Sequence, residues 1–270
     1  EAVVHFAAES HVDKSVVDSA PFLRTNVEGT LVLVREACRA GVKRFVHVST
    51  DEVYGSLGTS GSFTEDSALR PNSPYAASKA AADLFLRAWV KTHGAPVVIT
   101  RSCNNYGPYQ FPEKLIPLMI VRALEDQPLP VYGDGSNVRD WIHVEDHCRA
   151  LVAVLERGRI GEIYNVGARS EMPNLAIVKT LLARLEKPET LIRFVEDRPG
   201  HDFRYSIDPS KIEKELGWKP ERDLARGLAE TVDWYLGHRP WWDEIRRRPA
   251  WKAYFASMYD RRLAEGKRAE

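Results

Sequence analysis

The chain has 270 residues, enough for one large domain or two smaller ones with a substantial core. Lysine plus arginine and aspartate plus glutamate stand at 38 each, so no net field recruits nucleic acid or an anionic membrane. Cys38, Cys103 and Cys148 are too widely spaced for a zinc cluster and odd in number for a disulfide framework, which points to a reducing cytoplasm without a structural metal; no apolar run nears the ~20 residues of a membrane span, and no signal peptide is read at the start.

In chain order, Glu1 to Ala8 reads as a buried strand and Glu9 to Ser15 as a polar loop. A helical pattern follows from about Pro21 to Arg39, ended by Gly41. Arg44 to Ser49 is a short apolar run of the kind found in interior parallel strands. A Gly- and Ser-rich loop over 55–73 leads to a helix from Pro74 to His93, stopped by Gly94, and Pro96 to Arg101 forms the next strand. This alternation predicts an α/β fold with a doubly wound parallel sheet. Both long helices are apolar on more than one side, with Val27, Leu31, Leu33 and Val34 in one and Leu84, Phe85, Leu86 and Trp89 in the other. One face should cover the sheet and the other a second subunit, predicting a homodimer through the helices near 21–39 and 74–93.

From about Asn104 the elements shorten and prolines multiply, which suggests a smaller C-terminal lobe. The reading divides the chain into 1–103, part of a nucleotide-binding sheet domain, and 104–270, mainly a substrate lobe with some segments returning to the sheet. Within the lobe it places a helix over 144–157, a strand over 162–166, a helix over 174–185 and a strand over 191–195. Arg139 and Arg198 each follow a turn and suit bidentate phosphate binding, though by sequence alone each is more often an ordinary surface residue. Arg246 to Arg248, set among Trp241, Trp242, Trp251 and Tyr254, fits the solvated face of an amphipathic helix.

The chemistry concentrates in two runs. Ser49-Thr50-Asp51-Glu52-Val53-Tyr54-Gly55 closes the strand at 44–49, where ligands of open α/β sheets bind. Tyr75 and Lys79 lie four apart at the start of the next helix and so share a face. An ammonium beside a phenol favours tyrosinate and pulls its pKa from about 10 toward neutrality, making a base for a sugar hydroxyl. Taken alone, Asp51 and Glu52 could be a solvated turn or a helix cap; two signals meeting at one sheet edge favour a reaction site.

With these residues in hand, the chain resembles the extended short-chain dehydrogenase/reductase family and, within it, the dTDP-glucose 4,6-dehydratases. The resemblance spans essentially the whole chain. It rests on His5 to Asp13, Ser49 to Gly55, Tyr75-x-x-x-Lys79, Asn104 to Tyr109, Pro112 to Pro117, Arg139-Asp140-Trp141 and Asp197 to Asp202. It implies that NAD+ takes hydride from C4 of a nucleotide-linked glucose while Tyr75, helped by Lys79, removes the 4-hydroxyl proton. Glu52 then removes the C5 proton, Asp51 protonates the departing C6 hydroxyl, Thr50 holds the sugar, and hydride returns to C6.

The same resemblance places Ala7, Ala8, Ser10, Thr25, Ser49, Tyr75, Lys79 and Asn105 along NAD. It places Ser10, Thr50, Asn104, Lys114, Leu115, Ile116, Pro117, Leu118, Pro130, Val131, Tyr132, Arg139, Asn174, Arg198, Pro199, Gly200 and His201 along the nucleotide sugar. The chain departs from the family pattern with Arg101-Ser102-Cys103 before Asn104, and it lacks a Gly-rich fingerprint and an acidic ribose ligand. Two βαβ units of ~30 residues each, about 60–80 residues in all, are therefore expected ahead of Glu1; the chain on its own is expected to be inactive, to bind NAD poorly and to aggregate, and the expected function is that of the parent protein. A UDP- or CDP-glucose dehydratase and a non-catalytic sugar-nucleotide-binding fragment are the competing readings.

Overall fold

The computed structural model describes residues 1–268. The chain begins with β1 (Ala2–His5), a short helix α1 (Val12–Val17) and a continuous helical stretch made of α2 (Ala20–Phe22), a π-helical segment (Leu23–Gly29) and α3 (Thr30–Arg39). There follow β2 (Arg44–Thr50), a 3₁₀ turn (Asp51–Tyr54), α4 (Pro74–His93), β3 (Val97–Ser102), β4 (Asn104–Tyr106), α5 (Leu115–Leu124), β5 (Leu129–Tyr132), β6 (Val138–His143), α6 (Val144–Arg157) and β7 (Ile163–Val166). The remainder comprises β8 (Glu171–Pro173), α7 (Asn174–Arg184), β9 (Ile192–Val195), α8 (Ser210–Leu216), α9 (Leu224–Gly237), α10 (Arg239–Arg247), α11 (Pro249–Phe255), α12 (Arg261–Glu265) and β10 (Lys267–Arg268).

These elements fall into two compact units. The first contains Glu1–Asn105, Arg139–Glu171 and Pro199–Glu221; the second contains Tyr106–Val138, Met172–Arg198 and the chain from Arg222 onward. In the first, β1, β2, β3 and β7 form a parallel sheet in that order, with Val46 opposite Val4 on one side and Val98 on the other. Side chains alternate across the pleat. Phe45, Val97 and Ile99 pack with Val34, Ala37 and Leu86 of α3 and α4, whereas Val46 and Val98 pack with Ala150, Leu151 and Val154 of α6 and Ile212 and Leu216 of α8. Helices thus cover both faces, which explains why β2 and β3 lack a polar face and confirms the α/β reading.

Two readings change. The segment read as a loop at 9–15 includes the start of α1, whose six residues are too few to show a helical period. The helix at 144–157 and the strand at 162–166, read as part of the lobe, belong to the first unit: α6 packs against β2, and β7 pairs with β3. In the second unit β5 and β9 are parallel, β10 runs antiparallel to β9, and α5, α7 and α9 pack on one another. Arg246 lies on α10 and forms two bonds to Glu125.

Candidate active site

The reactive run is built where β2 leaves the sheet. Thr50 caps the following 3₁₀ turn, its Oγ1 accepting from Glu52 N at 3.3 Å and donating to Asp51 Oδ1 at 3.3 Å. Gly55 ends the turn with φ 86°, and a Cβ there would stand 2.2 Å from Arg70 O, so only glycine fits. Asp51 is 2% exposed, and its Oδ2 has no hydrogen-bond partner among the described residues. Burial pushes its carboxyl far above the usual range; Glu52 and then Asp140 push the same way, against the weaker pull of Arg139 and the Thr50 bond. Its surroundings therefore favour the protonated form of Asp51, beside a half-buried Glu52.

Tyr75 and Lys79 come from the first turns of α4. Ser73 caps this helix by accepting from Ala76 N at 3.1 Å, Pro74 occupies its first turn, and Gly94 ends it in the left-handed conformation. Tyr75 N donates to Ser15 Oγ at 3.1 Å, and Asn26 of the π-helical segment donates to Ser78 Oγ at 2.9 Å while bonding both backbone groups of Glu9. Asn26 therefore fastens the loop after β1 to the helix bearing the tyrosine.

The electrostatics differ from the sequence expectation. Burial, followed by Glu52, pushes the Tyr75 phenol above its ordinary value, with only the Thr50 bond pulling it down. Lys79 does not reverse this. Its Nζ donates to Val48 O at 2.8 Å, and burial lowers its own pKa to about 8.

The other expected residues are distributed as follows. Ala7 and Ser10 are exposed after β1, Ala8 and Thr25 are half-buried, and Ser49 is buried at the end of β2. The Asn105 amide is engaged by His147 Nδ1 at 2.7 Å and donates to Cys103 O at 3.1 Å. Arg139 is buried rather than on the surface: it donates to Asp202 O at 2.9 Å and Phe203 O at 3.3 Å and lies 4.2 Å over the Tyr205 ring. Asn72 donates to Asp202 at 2.6 Å, drawing Gly200 so close that a Cβ would meet Asn72 O at 2.6 Å. Asn104, Pro199 and His201 are also in this first unit.

Lys114, Tyr132, Asn174 and Arg198 are half-buried in the second unit, as is Leu115. Ile116, Pro117, Leu118, Pro130 and Val131 are buried there, so their side chains serve packing. Sequence reading missed the Asp83–Arg101 pair and Arg262 and gave Asp140 no role of its own. Arginine inside an apolar strand was the available signal for the first, since a buried guanidinium needs a partner. Arg262 donates to the Tyr132 hydroxyl at 2.7 Å, a long-range contact without a sequence signature.

Comparison with known proteins places this geometry. A family model described as GDP-mannose 4,6 dehydratase matches residues 1–231. A dTDP-glucose 4,6-dehydratase of Streptomyces niveus is 52% identical over 246 residues, which cover 91% of this chain and 73% of that protein. The chain belongs to the dTDP-glucose 4,6-dehydratase family. The crystal structure of such an enzyme from Streptomyces venezuelae, with NAD bound, superposes with a TM-score of 0.89 at 56% identity, covering 91% of this chain and 76% of that one. A UDP-glucuronic acid 4-epimerase from Bacillus cereus, in complex with UDP-glucuronic acid and NAD, gives 0.82 at 31% identity over 87% and 75%. The fold is thus shared with epimerases, and the chemistry must be read from the site.

Proposed function

We propose that the protein to which this chain belongs converts dTDP-glucose to dTDP-4-dehydro-6-deoxy-glucose using NAD, and that Asp51 and Glu52 divide the acid and base work. The observation that carries this reading is the buried Asp51 carboxyl, whose surroundings favour its protonated form, directly before Glu52 at the same strand end as Thr50. Simple alcohol oxidation needs no such pair. Loss of water across C5 and C6 needs one group to remove the C5 proton and another to protonate the leaving hydroxyl.

The residues present suit NAD, because the chain after β1 offers the small side chains of Ala7, Ala8 and Ser10, and Lys79 offers a buried amine. When bound, NAD+ would supply a reversible hydride acceptor for C4 and C6 and a positive charge that favours tyrosinate. Lys79 favours the phenolate form of Tyr75, which takes the proton of the 4-hydroxyl and so becomes the neutral phenol. Once C4 is a ketone, the C5 proton is acidic and Glu52 removes it. Asp51 gives its proton to the C6 oxygen, which leaves as water, and Thr50 holds the sugar. Ser49 and Asn105 complete the cofactor set, with Asn105 held by His147. Lys114, Asn174 and Arg198 supply cationic and amide groups suited to a diphosphate, and Tyr132 an aromatic face for the base.

We further read the chain as a cytoplasmic homodimer. Val32 and Leu33 of α3 and Leu84 and Phe85 of α4 are exposed apolar residues on neighbouring helices, a face suited to a second copy. The unpaired cysteines support the compartment, and among the described residues no helix is long and apolar enough to cross a membrane. Phe85→Glu should convert a dimer into a monomer in sedimentation experiments; a wild-type monomer would remove this reading.

The function is tested by incubating the protein with NAD and either dTDP-glucose or UDP-glucose in D₂O. A 4-keto-6-deoxy product from dTDP-glucose, carrying deuterium at C5, is expected. Product from UDP-glucose alone would move the base assignment, and no product from folded, NAD-bound protein would overturn the reading.

A further inference from the structure

One turn along α4 from Lys79 lies a group of ionisable side chains with no step of its own in the proposed chemistry. Asp83 shares the helix face of Lys79, and the two are 0% and 4% exposed. Asp83 Oδ2 accepts from Arg101 Nε at 2.9 Å. Arg101 Nη1 in turn donates to the Tyr54 hydroxyl at 2.9 Å, and that hydroxyl donates to Asn165 Oδ1 at 2.8 Å. The carboxylate is thus fixed from β3, from the 3₁₀ turn after β2 and, through Asn165, from β7. Its other oxygen faces His47 Nε2 of β2 at 3.6 Å, and His5 of β1 lies against His47 with ring centroids 5.3 Å apart. Burial and then the Lys79 charge favour the neutral form of both imidazoles, lowering His5 to about 4 and His47 well below its ordinary value.

The charge balance of this group decides its role. One carboxylate stands beside two buried cations: it is bonded to Arg101 and shares a helix face with Lys79, whose own bond goes to Val48 O. Arginine does not release its proton inside a protein, whereas a buried lysine does so readily. If Asp83 lost its charge, the uncompensated proton would therefore leave Lys79. The lysine has little margin, since burial already lowers it to about 8 and Asp83 is the group that pulls it back up. A neutral amine could still donate to Val48 O, so its position would survive while its charge was lost.

We infer that Asp83, locked by Arg101 and Tyr54, is a positioning residue that keeps Lys79 cationic during catalysis. This rests on the roles of Tyr75 and Lys79 given above. It predicts that the alkaline limb of the reaction reports the Asp83–Arg101 pair, although neither residue reaches the substrate.

The test is a ¹⁵N-lysine NMR titration of the whole chain, with the Lys79 signal assigned by its loss in Lys79→Arg. In the wild type it should titrate near pH 8. Asp83→Asn should lower the midpoint by about one unit or more, and the alkaline limb of kcat/KM should fall with it. Asp83→Glu should restore most of the shift, and Asp83→Asn with Arg101→Gln should recover part of it, because the competing cation is gone. A purely structural role would lower Tm in all three without moving the midpoint. Lys79 already neutral at pH 7 in the wild type, or an unmoved midpoint in a folded Asp83→Asn protein, would overturn the inference. If Lys79 shifts as expected but no sugar nucleotide is turned over, the dehydratase reading fails and the coupling stands.

Discussion

Asp51 and Asp83 are two aspartates of the same unit, both removed from water and both pushed upward by burial, yet they meet opposite surroundings. Beside Asp51 stand Glu52 and Asp140, and the cation nearby, Arg139, is occupied with backbone carbonyls and the Tyr205 ring. Beside Asp83 stand Arg101, in direct contact, and Lys79. A carboxyl group among carboxylates keeps its proton and can give it away; one held by a guanidinium stays charged and can only organise others. Burial alone does not make a reactive acid. The sign of the neighbours does.

The largest effects should come from separating the acid from the base. Glu52→Gln is expected to lower kcat by about 10²–10⁴-fold and to abolish deuterium exchange at C5. Asp51→Asn should give a comparable loss of product but retain C5 exchange, because the base remains while the proton donor is gone. Isotope exchange measured by mass spectrometry separates the two, and equal loss of exchange in both would erase the distinction.

In stability the order should reverse. Asp83→Asn leaves Arg101 buried without its partner and should cost about 3–5 kcal/mol in urea unfolding. At about pH 4 and below, where the Asp51 carboxyl is protonated in the unfolded chain as well, Asp51→Asn should change stability by less than about 1 kcal/mol, and at higher pH it should stabilise rather than destabilise. A larger loss from Asp51→Asn than from Asp83→Asn would break the comparison.

The pH dependence sharpens it further. Asp51 has a folded-state pKa raised above 3.8, so its contribution to stability is full below that value and is lost as the pH rises toward the folded pKa. Relative to Asp51→Asn, the wild type should lose stability on going upward from about pH 4. His147 behaves oppositely: burial lowers it from 6.5 to about 4, so its contribution is full above 6.5 and is lost as the pH falls through 4. A His147→Gln protein should lack that acid loss, on the order of 3 kcal/mol, in unfolding curves taken from pH 7 to 4. Last, Gly55→Ala should cost about 1–3 kcal/mol and lower kcat, since the turn bearing Asp51 and Glu52 must shift away from Arg70 O.

The sequence alone determined much of the frame. Arg44 to Ser49 and Pro96 to Arg101 are apolar runs too short for helices, and they form β2 and β3 within a residue or two of the expected ends. Pro74 to His93 matches α4 residue for residue because Ser73, Pro74 and Gly94 are local signals that act through neighbouring backbone groups. The spacing of Tyr75 and Lys79 and the position of Asp51 and Glu52 after a strand were legible for the same reason. Chemistry carried within one or two elements leaves its mark in sequence.

What tertiary structure decided was environment. Nothing local says that the protonated form of Asp51 is favoured, that Asp140 presses on it, or that Lys79 spends a hydrogen bond on Val48 rather than on the phenol. Nor does it say that Arg101 meets Asp83, 18 residues away in the chain, or that β7, 60 residues beyond β3, returns to pair with it. Dihedral preferences and capping act over a few residues and survive in any context. Desolvation and Coulombic fields depend on every atom brought within several ångströms, so the protonation states on which the chemistry depends exist only once the chain has folded.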